Sequence, residues 1–474
     1  MIPVLKRYSI YPSVVLAGKK SEMKILALER AFLFAEGTEY TLDIIGVNTD
    51  ILDYHSDKIN NRETITVVGK AGYIKFDYLF KAEMEYVLSL KKNGKLVQDL
   101  VVYALDEDLY SLTPLRGDFH SHSFRSDGCH CPVAHSGHYR EQGYDFTALT
   151  DHNRYFPGFE AIEAFDGVKT GFTRVYGEEV HCPENVTHIV HVFGKESVAE
   201  KYVLDESGTY NDEIKEYEAK VPSSVPEIYR GKYARCQWAC DQIHKAGGLA
   251  IFPHPYWRLS PRCYNVCTEF AKILLTSGMF DAYELIGGMG FDGVNTSVAL
   301  WSELRAEGYN IKVVGSSDVH NMQNDYTFPT FFTVCFAKAN DSDSIKESIE
   351  KGLCVAVETA NSGLKIQHRA YGEHRLVMYS QFLFKHYFPE RYRIIEGEGV
   401  AMRQYAMGDA PKGLIEMIAQ QGQNYTDRFF GRAEPVLPSK EILEFEDKWR
   451  KVQLAKGPNS KGSAINVDPP TYQI

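Results

Sequence analysis

Histidines and acidic residues that follow short apolar stretches are the side chains of this sequence best suited to chemistry. His120 and His122 flank one serine. In an extended segment, side chains two positions apart point the same way, so both imidazoles can meet one ion. Further along the chain the same residue types recur at Asp127, His152, Glu178, Glu179, His188, His191, His254, Asp318 and His320. Imidazole and carboxylate without thiolate are typical of catalytic sites for Zn, Mn or Fe, so the pattern predicts a metal-dependent hydrolase.

These residues need a scaffold that brings them to one point, and the middle of the sequence provides one. From about Leu115, strands alternate with helices. The clearest strands are predicted at Asp145–Thr150, Leu249–Phe252 and Ile311–Gly315, after helices around residues 133–142, 234–245 and 297–307. This alternation predicts an α/β fold with a parallel sheet, open or closed into a barrel. In such folds the strand ends converge, so histidines and acids placed there would surround one site.

The two flanking regions have a different character. Residues 1–113 are predicted to form a β-sandwich-like domain, with strands at Tyr40–Ile45, Thr64–Val68, Tyr86–Leu90 and Leu96–Tyr103. The last two strands are joined by a turn at Asn93-Gly94, which predicts a hairpin. We assign residues 114–358 to the metallohydrolase domain. Residues 359–474 are predicted to be mainly helical, with helices at Arg375–Phe388 and Lys440–Leu454 and a mobile or surface-draped tail from Lys456.

Composition narrows the class of partner. The chain has 474 residues and a formal net charge of -11, which argues against nucleic acid or an anionic membrane as a main partner. A bound metal cluster would still allow a small anionic substrate. No apolar stretch could serve as a signal-peptide core or a membrane span, so we expect a cytoplasmic protein acting on a small molecule, with an oligomer possible.

The nine cysteines leave two interpretations open. Cys236 with Cys240, and Cys263 with Cys267, are each four residues apart, so each pair would share one helix face. Together they could form a zinc site. Buried free thiols are the favoured interpretation, because structural zinc sites usually use closer Cys-x-x-Cys spacing.

Several segments resemble successive motifs of the PHP (polymerase and histidinol phosphatase) superfamily. The resemblance covers about residues 115–340 and rests on Gly117–Ser123 with Ser126-Asp127-Gly128, Thr150–Asn153, Gly177–Val180, Gly247–Pro255 and Ser317–His320. The motifs occur in the family's order, which makes the resemblance specific. The β-type region before His120, together with Gly177–His181, is most similar to the branch that includes carbaryl-hydrolase-like metallohydrolases.

The resemblance implies a distorted (β/α)7 barrel with two or three divalent metal ions (Zn, Mn or Fe), up to a trinuclear centre. The implied ligands are His120, His122, Glu179 and Asp318 for the first metal, Glu179, His188 and His254 for the second, and Asp127, His152 and His320 for the third. The family pattern favours Glu179 over Glu178 and His188 over His191, and these two alternatives stay open. We predict that the remaining nearby histidines are not ligands: His130, His135, His138 and His181.

The resemblance also implies phosphoesterase activity, in which a metal-bridging hydroxide cleaves a phosphate ester of a small molecule. His120, His122, Glu179, Asp318 and His320 are the predicted catalytic residues.

Substrate recognition is predicted from residues that are close to the ligands in sequence. Arg125, Arg154 and Arg258 are candidates for binding the phosphate, because guanidinium matches phosphate geometry. Tyr256 and Trp257 are candidates for a pocket wall.

Two other functions compete with phosphoesterase activity. The same hydroxide could attack a carboxyl ester, carbamate or amide, and an apolar pocket would favour that substrate over phosphate. A non-catalytic metal-binding or interaction module is the alternative from another class, and the apparently complete ligand set argues against it.

Overall fold

The computed structural model describes residues 6–48, 62–362 and 365–455. The chain forms two compact units. One unit contains residues up to Ser111 together with those from Asn424 onwards, and the other contains Leu112–Gln423. The contacts therefore divide the chain differently from the three predicted regions. Residues 359–423, predicted as part of a separate C-terminal region, group with the middle of the chain.

The first unit is built around β-strands. Its elements are β1 (Tyr8–Tyr11), β2 (Val14–Leu16), β3 (Lys20–Ala27), β4 (Glu39–Gly46), β5 (Glu63–Lys70), β6 (Tyr73–Leu79), β7 (Met84–Lys92), β8 (Lys95–Leu105) and the short helix α1 (Glu107–Tyr110). The strands form one sheet in the order β1-β3-β6-β5-β4-β7-β8-β2. The predicted hairpin is β7–β8, and Asn93 and Gly94 both adopt positive φ in its turn, as a tight two-residue connection requires.

The second unit alternates strands and helices. Its first half contains β9 (Thr113–Asp118), α2 (Pro132–Glu141), β10 (Phe146–Leu149), α3 (Phe156–Glu163), β11 (Thr173–Val180), β12 (Ile189–Val192), α4 (Glu200–Val203), α5 (Thr209–Lys220) and α6 (Arg230–Lys245). Its second half contains β13 (Leu249–Phe252), β14 (Arg258–Ser260), β15 (Cys263–Tyr264), α7 (Thr268–Thr276), β16 (Ala282–Ile286), α8 (Phe291–Ala306), β17 (Val313–Gly315), β18 (Phe331–Ala337), α9 (Ser342–Glu350), β19 (Cys354–Ser362), β20 (Lys365–Tyr371), α10 (His374–His386) and α11 (Phe388–Ala406). Helix α12 (Lys412–Phe429) crosses the boundary between the units, and α13 (Lys440–Ala455) belongs to the first.

Seven strands of the second unit neighbour one another in the order β9, β10, β11, β12, β13, β16, β17. All of them run parallel except β12, which is antiparallel to both neighbours. The chain after β17 returns to the chain after β9, where Asp318 N donates to His120 O at 2.9 Å and Ser121 pairs with Val319. The sheet is therefore barrel-like, and the carboxyl ends of its parallel strands meet at one rim.

Burial explains why these strands form. Every residue of β10, β12, β13 and β16 is buried, because apolar clusters cover both faces of the sheet. Strands covered on both faces appear in the sequence as short continuous apolar runs without alternation. The three predicted strands of the middle region correspond to β10, β13 and β17, which confirms a mixed α/β architecture.

The C-terminal region is less helical than predicted at its start, because β19 and β20 extend the sheet beyond β18. The two predicted helices correspond to α10 and α13, while α11 and α12 were not individually predicted. The predicted tail from Lys456 lies outside the described residues. No described helix has the combination of length and apolar composition that a membrane crossing needs.

Candidate metal centre

The rim of the barrel-like sheet carries the predicted ligands. His120 and His122 follow β9, His152 follows β10, and Glu179 is the penultimate residue of β11. His188 precedes β12, and because β12 runs in the opposite direction, its start lies at the same rim. His254 follows β13, and Asp318 and His320 follow β17, while the ninth predicted ligand, Asp127, lies on the loop between β9 and α2. One architectural feature, the strand terminus, therefore positions residues spread over 200 positions of sequence.

A first group of side chains that could hold a metal ion contains His120, His122, Glu179 and Asp318. His120 Nε2 lies 3.2 Å from Asp318 Oδ1 and 3.4 Å from Glu179 Oε2. His122 Nε2 lies 2.9 Å and 3.6 Å from the same two oxygens. Ligand atoms bound tetrahedrally at about 2.1 Å from one ion are roughly 3.4 Å apart. The spacing of these four atoms therefore fits a shared ion.

A second group contains Glu179, His188 and His254. Oε1 of Glu179 lies 2.8 Å from His188 Nδ1 and 3.2 Å from His254 Nε2. The other carboxylate oxygen of Glu179 faces the first group. Glu179 can thus contribute one oxygen to each of two neighbouring ions, which is the geometry of a bridging carboxylate.

A third group contains His122, Asp127, His152 and His320. Asp127 is its centre, with Oδ2 3.3 Å from His152 Nε2 and Oδ1 3.4 Å from His320 Nε2. His122 Nδ1 lies 4.0 Å from Asp127 Oδ1, while its Nε2 faces the first group. The structure thus brings all nine predicted ligands together in three overlapping groups.

One buried atom supports the fit to a metal. His120 has no exposed surface, and its Nε2 makes no hydrogen bond with any described residue. Its Nδ1 lies 2.9 Å from Oε2 of Glu284, which is also fully buried. A buried ring nitrogen without a partner is costly, whereas a nitrogen that binds a metal while the other bonds a carboxylate is the usual state of a ligand histidine.

The sequence left two choices of ligand open, Glu178 or Glu179 and His188 or His191. The alternation of side chains along a strand distinguishes between them. Glu178 and Glu179 are adjacent in β11, so their side chains lie on opposite faces. Glu178 accepts hydrogen bonds from Ser197 Oγ at 2.7 Å and Val198 N, and lies 3.1 Å from His191 Nδ1. Glu178 and His191 therefore form a buried pair away from the three groups, while Glu179 and His188 lie inside them.

His181, which was predicted not to be a ligand, lies inside the cluster. Its Nε2 is 3.1 Å from His152 Nδ1 and 3.4 Å from Glu179 Oε2, and these residues form a further group that could hold an ion. His130, His135 and His138 belong to no such group among the described residues. The signal that could have identified His181 was its position two residues after Glu179, on the same face of the chain.

Two residues at the rim have strained backbones. His254 has φ of 23° and Asp318 has φ of 53°, a region that residues other than glycine rarely adopt. His254 lies two residues after β13 and Asp318 three residues after β17, and both side chains belong to the cluster. Such strain costs about 1–3 kcal/mol and is characteristic of functional sites.

Two acidic residues that the sequence analysis did not single out organise the rim. Asp118 accepts hydrogen bonds from His120 N at 3.1 Å, Ser317 N at 3.0 Å and Tyr139 Oη at 2.8 Å, and so connects the ends of β9 and β17. Asp151 accepts from Ser123 N at 2.9 Å and holds the loop that carries Asp127. Burial raises the pKa of Asp118 to about 6, although hydrogen bonds from Ser317, His120 and Tyr139 oppose the shift.

The electrostatics of the cluster reflect its many acids and histidines. Burial raises the pKa of Glu179, but the positive charge of His120 and His188 outweighs it and holds the pKa well below the usual range. Burial lowers the pKa of His152, but hydrogen bonds with Asp127 and Glu179 outweigh that and raise it to about 10. For His122, burial dominates and lowers the pKa to about 4. Divalent cations would replace protons as the charges that neutralise these carboxylates.

A cleft of about 1060 Å³ opens onto the cluster. Its walls include eight residues of the groups that could hold an ion, seven of them predicted ligands and the eighth His181, and also Tyr256 and Trp257. Both aromatic residues were predicted to form a wall. Tyr256 is buried, and Trp257 is exposed by 39%, so Trp257 can touch a molecule that enters the cleft.

Of the three predicted phosphate-binding arginines, Arg258 alone lines the cleft. Arg125 makes two hydrogen bonds with Glu160, at 2.9 Å and 3.1 Å, which occupy its guanidinium. Arg154 donates to the backbone oxygen of Arg125. The structure does not bring these two arginines to the cleft, because closeness in sequence to a ligand does not fix the direction of a long side chain on a loop.

The cysteines do not form a metal site in the part of the chain that the structure describes, since none of the groups that could hold an ion contains one. Cys236 and Cys240 are buried on α6, as expected for free thiols, and burial raises the pKa of Cys236 to about 11. Cys263 and Cys267 are exposed, contrary to that expectation.

Comparison with known proteins gives distant structural likenesses. No family model and no curated protein matches the chain. A two-domain protein from Bacteroides vulgatus, described as containing a predicted PHP-like metal-dependent phosphoesterase, is 17% identical, with 55% of this chain and 76% of that chain covered and a TM-score of 0.37.

Two further solved proteins show similar likeness. A candidate metal-dependent phosphoesterase from Bifidobacterium adolescentis is 15% identical, with 49% of this chain and 95% of that chain covered and a TM-score of 0.34. An amidohydrolase from Chromobacterium violaceum is 18% identical, with 44% and 89% covered and a TM-score of 0.30. All three TM-scores are below 0.5.

Proposed function

We propose that this chain is a metal-dependent hydrolase of the PHP type and that it cleaves a phosphate ester of a small molecule. The observation that carries the proposal is the carboxylate of Glu179. One of its oxygens faces His120 and His122, and the other faces His188 and His254. A bridging carboxylate between two histidine-rich groups is the arrangement that multi-metal hydrolases use.

Each residue has a defined role in this proposal. His120, His122, Glu179 and Asp318 would hold one ion, His188 and His254 would complete a second with Glu179, and Asp127, His152 and His320 would hold a third with His122. Bound divalent ions lower the pKa of water and neutralise charge that develops on the substrate oxygens. Glu284 orients the His120 ring through Nδ1, and Arg258 is positioned to contact an anionic group in the cleft.

A second candidate is hydrolysis of a carboxyl ester, carbamate or amide, and the lining of the cleft favours it. Among the described residues that line the cleft, Arg258 is the only arginine or lysine. Phosphate sites usually collect several cations, whereas a neutral carbonyl substrate needs none. The same metal centre can serve both reactions, so the choice depends on the substrate and not on the ligands.

The experiment that separates these candidates uses one chromogenic leaving group. The protein is assayed with added Mn or Zn for release of p-nitrophenol from p-nitrophenyl phosphate, p-nitrophenyl acetate and p-nitrophenyl N-methylcarbamate. The double variant His120→Ala/His122→Ala is expected to lose activity. The variant His244→Gln is expected to retain it, because His244 pairs with Asp281 and belongs to none of the three groups.

Release from the phosphate that depends on the two histidines supports the phosphoesterase. Release from the carbonyl compounds alone rejects it and supports the second candidate. If protein that binds metal releases p-nitrophenol from none of the three compounds, both proposed activities are contradicted for simple esters. That result favours the non-catalytic module.

A further inference from the structure

Four exposed apolar side chains surround the mouth of the cleft. They are Trp257, Leu259, Phe291 and Tyr326, with exposures of 39%, 48%, 56% and 51%. Single exposed apolar residues are common on protein surfaces, but several around one opening mark a surface that binds something apolar. These residues come from three separate segments of the chain, so their convergence is a property of the fold.

The aromatic residues at the cleft form two groups. The Trp257 ring centroid is 6.0 Å from the ring of His188 and 6.0 Å from the ring of His254. A group that packs on Trp257 is therefore adjacent to the second metal group. Phe291 and Tyr326, which line the same cleft, form a pair with centroids 5.9 Å apart.

The hydroxyl of Tyr326 is already engaged. It donates to the backbone oxygen of Met289 at 3.1 Å, which fixes the ring and leaves its faces for contacts. Phe291 is the first residue of α8, and Gly290 and Gly293 beside it also line the cleft. Glycines leave room for a flat group to approach the backbone and the two rings.

The charges at the mouth argue against a highly anionic substrate. Asp292 and Asp325 line the cleft beside the aromatic rings, whereas Arg258 is its only arginine or lysine among the described residues. The guanidinium of Arg258 lies 5.3 Å from the centroid of the Tyr264 ring. Two carboxylates near the entrance would repel a substrate with several phosphates outside the metal centre.

We propose that the cleft takes a substrate whose group remote from the scissile bond is an uncharged apolar ring. That ring packs against the exposed aromatic residues that line the cleft, Trp257 and the Phe291–Tyr326 pair. The inference rests on the proposed function, because it places the scissile bond at the metal groups. Trp257 and Phe291 are the residues that determine this specificity.

Binding of inhibitors tests this inference without turnover. Phenylethylphosphonate and 3-hydroxypropylphosphonate present the same phosphonate with and without an apolar ring. Benzohydroxamate and acetohydroxamate form a second pair, in which the hydroxamate binds divalent metals and does not mimic a phosphate. Calorimetry with Mn- or Zn-loaded protein measures all four dissociation constants. We expect the ring compound of each pair that binds to have about tenfold or greater affinity, since burial of a ring removes apolar surface from water.

Variants identify the residues responsible. Trp257→Ala and Phe291→Ala are each expected to reduce the preference for the ring at least threefold. Tyr309→Ala is the matched control, because Tyr309 is a similarly exposed aromatic residue (42%) that does not line the cleft. It is expected to leave the preference unchanged. Metal content is measured for every variant, so that loss of metal is distinguished from loss of the ring contact.

The outcomes separate the two proposals. If only the hydroxamate pair binds with a ring preference that depends on Trp257, the ring subsite is supported while the phosphoesterase proposal loses its basis. Equal affinities within both pairs, a ring preference that survives both variants, or failure of all four compounds to bind would overturn the inference.

Discussion

The carboxylate of Glu284 lies 2.9 Å from Nδ1 of His120, and both side chains are fully buried. Nδ1 donates a hydrogen bond to Glu284, so Nε2, which faces Asp318 and Glu179, is the ring nitrogen available to a metal ion. Glu284 thus fixes the orientation of one candidate ligand and would favour the tautomer that binds a metal through Nε2.

Replacement of Glu284 by glutamine tests this relationship. The amide keeps the size of the side chain but removes the charge that stabilises the Nδ1–H tautomer. We expect metal affinity to fall about 10- to 100-fold while the fold is retained. Calorimetric titration of metal into apoprotein measures the affinity, and circular dichroism checks the fold. The control is Glu303→Gln on the surface, where Glu303 pairs with Lys272. Equal affinities in wild-type and Glu284→Gln protein would show that Glu284 does not act through His120.

Replacement of Asp127 by asparagine separates the third group from the others. Asp127 contacts His152 and His320 but neither His188 nor His254. We expect the number of bound ions per chain to fall by about one, because an amide is a weaker ligand than a carboxylate. Elemental analysis of dialysed protein measures the ratio, with Asp166→Asn at an exposed position as control. An unchanged ratio would remove Asp127 from the list of ligands.

A buried ion-pair network supports the helices around the barrel-like sheet. Arg140 contacts Asp145 at 2.9 Å and Glu398 at 2.7 Å, and all three residues are buried. Arg140→Met leaves both acids with fewer partners, and we expect the free energy of unfolding to fall by about 3 kcal/mol. Arg393→Met removes an exposed pair with Glu390 and is expected to cost less than about 1 kcal/mol. Urea unfolding measures the free energy of unfolding of both variants. Equal decreases in the two variants would show that Arg140 is no more important for stability than the exposed Arg393.

The stability of the protein is expected to depend on the protonation of His368. Burial, followed by the charge of Arg116, lowers the pKa of His368 to about 4. Since the unfolded chain takes up this proton near pH 6.5 and the folded chain does not, the contribution to stability is complete above pH 6.5 and is lost between pH 6.5 and 4. His368 stacks on Phe384 with centroids 4.4 Å apart, so phenylalanine in its place keeps an aromatic ring for this contact.

The prediction concerns the loss of stability on acidification. For metal-free protein, we expect the fall in the free energy of unfolding between pH 7 and pH 5 to be roughly 1–2 kcal/mol smaller in His368→Phe than in the wild type. Urea unfolding at the two pH values provides the comparison, with His374→Phe at an exposed position as control. If His368→Phe and the wild type lose the same amount, His368 does not carry this dependence.

The ends of the strands could be predicted from the sequence, because the buried strand residues are apolar whereas the functional residues that follow them are polar. An apolar run such as Leu249–Phe252 ends abruptly at a polar residue, His254. Packing of an apolar core does not call for a histidine at this position, so its presence indicates a function. In contrast, the positive φ of His254 and Asp318 could not be predicted, because histidine and aspartate, although enriched among non-glycine residues of that region, mostly adopt negative φ.

Glu284 was missed although the sequence contained a signal. It is the only charged residue within the fully buried strand β16, Ala282–Ile286. A carboxylate there must have a partner, since a buried unpaired charge is very costly. The identity of that partner, His120, is separated from it by 164 positions and could not be read from spacing.

The C-terminal region shows where local patterns stop being informative. Helices α10 and α13 were predicted from the sequence, but strand β19 depends on pairing with β18, and β20 on pairing with β19. The grouping of residues after Asn424 with the N-terminal strands depends on tertiary contacts that sequence patterns do not encode. The same holds for Arg125, whose partner Glu160 lies in α3.

The most direct test of the central claim is the metal content of purified protein after loading with Mn or Zn and dialysis. The account predicts more than one ion per wild-type chain and a clear loss of ions in Glu179→Gln, because Glu179 contributes an oxygen to two groups. The adjacent change Glu178→Gln, on the opposite face of β11, is expected to keep the wild-type content. Wild-type protein that binds no ion, or equal loss in the two variants, would contradict a metal centre built on Glu179.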